Sequence, residues 1–487
     1  MSFNNVVNDF EASMAQNEEF DENQEQGQCP EVKINNIEDV LTINDLDFVK
    51  PIINDNINYR VDQIELIGKA MEISNGDPLN ALQYFVACMN HEGYDVEFEL
   101  VFTIPANTEV TITLPIRDYP GDELGYYVSW NDEITHNTNV HTYKSIDKIK
   151  EYHVRFFGLG ISGFGRFSYD EDYYGYTKYL TNVISFGILG HTFTSLEYAF
   201  VDCKNNFTVP QTLPSSITDT SNMFRFCGAF NQPLNGWNTS NVTNMKSMFL
   251  ECTSFNQPLN DWSVNNVVNM KDMFHKCANF NQPLNTWSVN NVTTMEEMFY
   301  GCANFNQPLD AWSVNNVTNM NNMFMDCTNF NQPLNAWNTS NVTIMSRMFF
   351  GCKNFNQPLD AWSVNNVTKM TYMFADCTNF NQPLNTWSVN NVIDMDRMFI
   401  RCTNFNQPLN AWSVNNAKDM KLMFADCISF NQPLNAWNTS NVTDTYKMFA
   451  GCTNFNQPLN AWNVSNVIDM TAMFENCNIS EENKPIF

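Results

Sequence analysis

Hydrophobic and polar positions recur with a period of 25 residues from Phe224 almost to the end of the sequence. The motif Phe-Asn-Gln-Pro-Leu starts at ten positions without a slip in register: 230, 255, 280, 305, 330, 355, 380, 405, 430 and 455. Ten copies in phase indicate an array in which each repeat packs against its neighbours. More than half of the chain therefore belongs to one architecture.

The apolar positions within a repeat have the spacing of a helix followed by a short strand. From Val242 to Cys252 they follow one another at intervals of 3 or 4 residues, which is the period of one helical face. Phe255 then begins a short extended segment that Pro258 ends, since proline has no N–H to donate to a ladder. This pattern predicts an α/β solenoid of leucine-rich-repeat type over residues 224–477.

The region before the array changes character several times. The first 30 residues hold seven acidic side chains and no Lys or Arg, which is typical of disorder. Asp77-Pro78 is a good helix start, and the run from Val96 to Phe102 alternates like a strand. We predict a disordered acidic tail over 1–30, a helical region over 31–92, a small β-sandwich over 93–180, a capping segment with a degenerate repeat over 181–223, and a C-terminal tail over 478–487.

Three columns of identical residues run through the array, and each has two interpretations. The cysteine column is either a metal or disulfide ladder or a line of buried, reduced thiols, and the lack of a CxxC pair favours the second. The Asn-Gln columns either bind a ligand or hydrogen-bond to neighbouring repeats, and we expect hydrogen bonds between repeats. The tryptophan column is either an aromatic platform for sugars or part of the packing, and we expect packing.

The positions that differ among repeats flank the apolar stripe, at 246–247, 250–251 and their 25-residue equivalents. Recognition of a specific partner needs side chains that differ from repeat to repeat, and aromatic and arginine side chains most often anchor interfaces. The predicted partner-binding residues are therefore Tyr300, Phe350, Tyr372, Arg401 and Tyr446. The alternative is that these positions only face solvent and are free to drift.

The charge of the chain excludes some partners. The formal net charge is −28, and residues 1–200 carry 33 acidic and 11 basic side chains. A polyanion repels nucleic acid and anionic membranes, so we expect neither as a partner. No apolar run reaches the roughly 18 residues of a membrane span, and residues 1–9 lack the basic and apolar parts of a secretory signal. We expect synthesis in the cytosol, with virion or surface association by a non-classical route.

The repeat Met-Phe-x-x-Cys-x-x-Phe-Asn-Gln-Pro-Leu-Asn-x-Trp resembles that of the BspA-like leucine-rich-repeat surface proteins. That repeat is also known from mycoplasma surface lipoproteins, protists and large DNA viruses, and the resemblance covers about residues 194–477. Members often carry an upstream β-sandwich with Trp-Gly-Asp-Gly and a later His-x-Tyr, which residues 130–133 (Trp-Asn-Asp-Glu) and 141–143 (His-Thr-Tyr) resemble. The resemblance implies surface display and binding to host or matrix proteins.

No catalytic motif accompanies the array. The sequence holds no Gly-rich phosphate loop, nucleophile elbow or HExxH-like metal site, so we predict no enzyme activity, no cofactor and no metal. The expected function is a protein- or glycan-binding interaction or adhesion module. The alternative is a structural protein, such as a virion or coat component, whose arrays self-assemble without a specific host ligand.

Overall fold

The computed structural model describes residues 74, 76–91, 97–118, 125–144, 147–158, 161–165, 175–187 and 193–486. The tail predicted over 1–30 and most of the helical region predicted over 31–92 lie outside the described residues. The chain divides into two compact units, one ending at Thr218 and the other starting at Asp219.

The first described element is helix α1, Pro78–His91. The Asp77 carboxylate accepts hydrogen bonds from the backbone N–H groups two and three residues later, at 3.0 and 3.2 Å, and so caps the first turn. Pro78 stands at the position where no N–H is needed. The helix start predicted at Asp77-Pro78 is therefore confirmed. No helix among the described residues is long and apolar enough to cross a membrane.

Nine strands lie in the described residues between 98 and 186. They are β1 (Phe98–Ile104), β2 (Val110–Thr113), β3 (Ile116–Asp118), β4 (Tyr127–Ser129), β5 (Ile134–His136), β6 (Val140–Tyr143), β7 (Lys150–Phe157), β8 (Ile161–Phe164) and β9 (Leu180–Phe186). One sheet has the order β5-β4-β7-β1-β9, and β2 pairs with β6 and β3 with β8 in two smaller sheets. Strand β9 pairs antiparallel with β1, so the β region extends beyond the predicted boundary at 180.

The core of the first unit is aromatic. The Phe98 ring of β1 lies 4.8 Å from the rings of both Phe156 and Phe164, measured between centroids. Helix α1 joins this core through Phe85, whose ring stacks on that of Phe157 at 5.4 Å. Side chains from the helix and from three strands thus pack against one another.

The turn at residues 130–133 forms although it lacks both glycines of the motif that it resembles. Asn131 adopts a φ of 74°, a conformation that asparagine tolerates better than most residues. The backbone N–H of Trp130 donates to the Glu133 carbonyl at 2.7 Å, and the Tyr143 hydroxyl donates to the Trp130 carbonyl at 3.0 Å. Asparagine therefore replaces the first glycine without loss of the turn.

The helix predicted in each repeat is wrong: residues 246–251 form turns, and none of residues 242–252 is helical. Ser247 and Glu251 have φ values of 53° and 59°, which a right-handed helix does not allow. Four N–H groups donate to carbonyls of the following repeat at 2.7–3.1 Å, those of Met245, Ser247, Phe249 and Glu251 to Asn269, Lys271, Met273 and His275. Because these N–H groups bond to the next repeat, they are not free for the bonds of a helix. Turns that span three residues give the same spacing of apolar residues as a helix does, which is why the sequence pattern indicates a helix.

The predicted strand position in the repeat also differs from the structure. Parallel pairing occurs as one isolated bridge between successive repeats, as between Asn244 and Asn269, and residues 255–257 are irregular. At 255–257 the repeats are joined by side chains. Asn331 Oδ1 accepts from the Asn356 backbone N–H at 2.9 Å and from Gln357 Nε2 at 3.1 Å. The same bonds recur along the column, so the prediction that the Asn-Gln columns hydrogen-bond between repeats is confirmed.

The tryptophan and cysteine columns belong to the core. Trp312 is 2% exposed, and its indole N–H donates to the Leu284 carbonyl of the preceding repeat at 2.9 Å. Cys302 is fully buried, and its thiol lies 2.9 Å from the Phe274 carbonyl, also in the preceding repeat. The 12 described cysteines are all free. The packing role of tryptophan is therefore as predicted, and so is the burial of the array cysteines, with Cys477 as the half-buried exception.

The segment predicted as a C-terminal tail continues the contacts of the array as far as residue 486. Ser480 N–H donates to Asn456 Oδ1 at 2.9 Å, in the place that an asparagine of the next repeat would take. A short 3-10 helix, Glu481–Asn483, follows, and the Asn483 carbonyl accepts from the Leu459 N–H at 2.7 Å. Residues 478–486 thus cover part of the last repeat.

We expect Asn331→Ala to lower the free energy of unfolding by about 1–3 kcal/mol, because the N–H of Asn356 and the amide of Gln357 lose their acceptor. Asn331→Asp keeps an acceptor oxygen in the same place and should cost much less. Urea denaturation of both variants measures the difference. Equal losses for the two variants would show that the side-chain ladder does not hold the repeats together.

We expect the buried thiols to resist labelling, because burial raises the pKa of residues such as Cys302 and Cys352 and only the thiolate reacts. Cys477 is the half-buried exception. In a chain with Cys29→Ser and Cys88→Ser, native labelling with a disulfide reagent should show one fast thiol that Cys477→Ser removes. Denaturation should then expose all 12 described thiols. Several fast-reacting thiols in the native protein would contradict the burial of the cysteines. Fewer than 12 reactive thiols after denaturation would contradict their free state.

Candidate interaction face

The variable face consists of four positions in each repeat, namely residues 246, 247, 250 and 251 and their equivalents at 25-residue intervals. The backbone limits part of this variation. The second and fourth positions have φ values between 51° and 73° in the repeats from 222 to 476. Glycine, asparagine and aspartate tolerate such values best, and the fourth position often holds Gly or Asp. The first and third positions have no such restriction.

An apolar cluster lies on the variable face in the later repeats. Ala375, Ile400 and Ala425 are buried there, and half-buried hydrophobic residues pack against them: Phe350, Tyr372, Leu422 and Ala450. The rings of Phe350 and Tyr372 are 5.9 Å apart between centroids. Two of the five predicted partner-binding residues are therefore in contact with each other, and both contribute to packing.

Two arginines lie over the ring of Tyr372. The guanidinium carbon of Arg347 is 5.0 Å from the ring centroid, and that of Arg397 is 5.2 Å away. Both belong to the same column as Tyr372, one repeat before it and one after it. At these distances cations are attracted to the face of an aromatic ring. Sequence reasoning missed both arginines, although the 25-residue register identifies them as neighbours of Tyr372.

Arg401 is half exposed and forms an ion pair across repeats. Its guanidinium group contacts both carboxylate oxygens of Asp376, with Nη2 to Oδ2 at 2.6 Å. Hydrogen bonding to Asp376 raises the pKa of Arg401. The pair lies beside the apolar cluster, since Asp376 directly follows Ala375 and Arg401 directly follows Ile400.

The other two predicted residues lie in different surroundings. The Tyr300 ring packs against the imidazole of His275 at 4.4 Å between centroids. The Tyr446 ring lies under the Lys447 ammonium, at 5.7 Å. Both tyrosines are half-buried.

An acid–histidine cluster, formed by Asp272, His275 and Glu297, lies on the earlier part of the variable face. His275 Nδ1 is 3.1 Å from Glu297 Oε2 and 3.9 Å from Asp272 Oδ1. Burial raises the pKa of Asp272, and Glu297 adds to this rise, whereas the nearby imidazole lowers the pKa of Glu297. Sequence reasoning missed this cluster. The signal was the single histidine of the array, with acidic residues three positions before and 22 positions after it.

The variable face carries both signs of charge in equal number. Nine basic and nine acidic side chains occupy its positions between 221 and 476. Several are paired across repeats, as in Lys271–Glu296 at 3.0 Å and Lys276–Glu251 at 2.7 Å. Nine of the 14 basic residues beyond residue 200 lie on this face, so it differs from the acidic remainder of the chain.

Comparison with known proteins identifies the repeat region. A family model described as "Mycoplasma protein of unknown function, DUF285" matches residues 194–312, 282–387 and 368–486. These overlapping matches together span more than half of the chain. Comparisons with curated proteins and with solved structures found no match to the chain.

We expect the predicted face residues to differ in their effect on stability. Phe350→Ala should lower the free energy of unfolding by about 1–3 kcal/mol, because half of the ring is packed in the apolar cluster. Arg401→Ala should cost less than about 1 kcal/mol, since its ion pair is exposed. Urea denaturation of both variants measures this. A larger loss for Arg401→Ala than for Phe350→Ala would contradict the assigned packing.

Proposed function

This chain belongs to the family described as Mycoplasma protein of unknown function, DUF285, and we propose that it is a non-enzymatic interaction module. In this proposal the 25-residue repeats form a solenoid that presents the variable face to a protein partner. Association with a cell or virion surface is part of the same proposal, and it rests on the resemblance to the BspA-like surface proteins.

The observation that carries the proposal is the unequal use of polar side chains around the repeat. Away from the variable face, polar groups hold neighbouring repeats together: Asn331 binds the next repeat, and Asn291 Nδ2 donates to the Asn265 carbonyl at 2.7 Å. Such side chains cannot change without breaking bonds between repeats. Side chains differ most from repeat to repeat on the variable face, and differing side chains are what recognition of one partner needs.

The chemistry of the variable face supports a protein as the partner. A nucleic acid or another uniform polyanion would meet nine carboxylates there as well as nine cations, whereas a protein surface offers both signs. Phe350, Tyr372 and the arginines beside them are residue types that often dominate binding energy. These residues lie together around the apolar cluster, which we propose as the centre of the interface. A glycan ligand is the alternative outcome.

A second candidate function, self-assembly, is supported by one edge of the array. The N–H groups at the ladder positions of the last repeat have no acceptor among the residues that the structure describes; these are Met470, Ala472, Phe474 and Asn476. In the earlier repeats from Thr220 onward the equivalent N–H groups donate to the next repeat, with Met345 as the exception. Unpaired groups of this kind are a template for pairing with another chain, so an end-to-end assembly of copies would use them.

Charge reversal on the variable face tests the interaction proposal. A protein captured from host lysate or matrix extract is purified and titrated against variants by calorimetry. Arg347→Glu and Arg401→Glu should each weaken binding at least about ten-fold. The control Asp310→Lys reverses an exposed charge outside the variable face and should leave affinity unchanged. A glycan partner would appear as binding that survives removal of the protein component.

A charge swap separates recognition from stability. The double variant Asp376→Arg with Arg401→Glu restores the ion pair across repeats and should recover the unfolding midpoint but not the affinity. If substitutions on the variable face leave binding unaffected, and substitution of Gln332 abolishes it, the proposed site is wrong. Light scattering over a range of concentrations tests the second candidate. Growth in mass with no partner present would favour self-assembly.

A further inference from the structure

We propose that Asp272, His275 and Glu297 form a binding site for one divalent transition-metal ion that joins two consecutive repeats. Zinc is the test ion. This inference goes beyond the proposed function, because it assigns a ligand to the protein itself and does not depend on any partner.

The ligand atoms of the three side chains lie close together. One ligand atom from each of the three side chains lies within 4.8 Å of the other two. The separations from His275 Nδ1 are 3.1 Å to Glu297 Oε2 and 3.9 Å to Asp272 Oδ1. Around a tetrahedral ion with bonds of about 2.0–2.2 Å, ligand atoms are about 3.3 Å apart. The cluster is close to that arrangement, with small movements of side chains needed to complete it.

Neighbouring side chains hold the other carboxylate oxygens of Asp272 and Glu297. Ser247 Oγ donates to Asp272 Oδ2 at 3.4 Å, and Asn322 Nδ2 donates to Glu297 Oε1 at 3.1 Å. Asp272 Oδ1 and Glu297 Oε2 are thereby left facing the imidazole. Hydrogen bonds of this kind orient the ligands of metal sites, and here they come from the repeats on either side.

His275 Nδ1 lacks a well-aligned hydrogen bond. It is buried and has no hydrogen-bond partner among the described residues, although the Glu297 carboxylate is only 3.1 Å away. The His275 side chain is 13% exposed. A buried polar atom without a partner is costly, and coordination of a metal ion would satisfy it.

The electrostatics of the column favour a cation. Asp272 and Glu297 occupy equivalent positions in consecutive repeats, so the 25-residue register places two carboxylates side by side. Two negative charges at this short separation repel each other. A bound cation would offset this repulsion.

The set of ligands selects the class of ion. One imidazole nitrogen and two carboxylate oxygens suit zinc and the neighbouring transition metals, whereas calcium and magnesium prefer oxygen ligands alone. Water would complete the coordination sphere. Asn322 Oδ1 is buried and without a partner among the described residues, so it can accept a hydrogen bond from such a water.

The site occurs once in the array, which provides an internal control. One repeat later, the equivalent positions hold Glu297, Tyr300 and Asn322, and two repeats later they hold Asn322, Met325 and Arg347. Neither set has a histidine. A stoichiometry of one ion in the array follows from this arrangement.

Calorimetry with zinc chloride on the untagged full chain, in which Cys29 and Cys88 are replaced by serine, tests the proposal. We expect one ion to bind, and Asp272→Asn, His275→Gln and Glu297→Gln each to weaken binding at least about ten-fold, as even loss of a supporting hydrogen bond does in known sites. Asp310→Asn removes the same charge from an exposed position outside the cluster and should bind zinc as the parent does.

Two further measurements make the result decisive. Cobalt(II) should give the visible absorption of an oxygen and nitrogen site, without the intense near-ultraviolet bands of thiolate ligands, since the array cysteines other than Cys477 are buried. In the absence of metal, Asp272→Asn should not lower the unfolding midpoint, because asparagine tolerates the φ of 57° at this position. The proposal would be overturned if the parent did not bind zinc or if cobalt gave thiolate bands. It would also be overturned if binding persisted in the variant that combines Asp272→Asn, His275→Gln and Glu297→Gln.

Discussion

The backbone hydrogen bonds between successive repeats are the constraint on which the array depends. In the repeats before the last one, alternate N–H groups such as those of Met245 and Phe249 donate to carbonyls of the following repeat. Pointing these N–H groups along the array requires residues with positive φ between them, as at Ser247 and Glu251. The backbone is therefore neither helical nor regularly extended, and a repeat of a different length would break the register. This explains why the 25-residue period has no slip.

The same register determines what the side chains do. Because each residue lies beside its equivalent in the next repeat, identical residues form columns. The rings of Trp287 and Trp312 are within 2° of parallel, and the indole N–H of each is satisfied by a carbonyl one repeat earlier. Asn331 satisfies the Asn356 N–H that the irregular backbone would otherwise leave open. These positions are fixed by their bonds, and most of the variation among repeats lies on the variable face.

On the variable face the same register makes different residues of one column neighbours. Tyr372 lies between Arg347 and Arg397 because they occupy one column in three successive repeats. Asp272 and Glu297 are neighbours for the same reason, and His275 lies beside them because the turn brings residues three apart onto one side. A change at one position of this face therefore alters a contact with the preceding and following repeats. In this way a regular scaffold can carry both a recognition surface and a local ion site.

The sequence by itself determined the repeat, its length, the buried columns and the Asn-Gln bonds, because a strict period forces equivalent residues into contact. It also located the start of α1, since Asp77 and Pro78 act within one helical turn. It did not determine the backbone of the repeat, because turns and a helix share the spacing of Val242, Met245 and Met248. Nor did it show that Phe350 is partly packed or that His275 faces two carboxylates. Those facts depend on the direction of side chains across repeats, which only the tertiary hydrogen bonds between repeats decide.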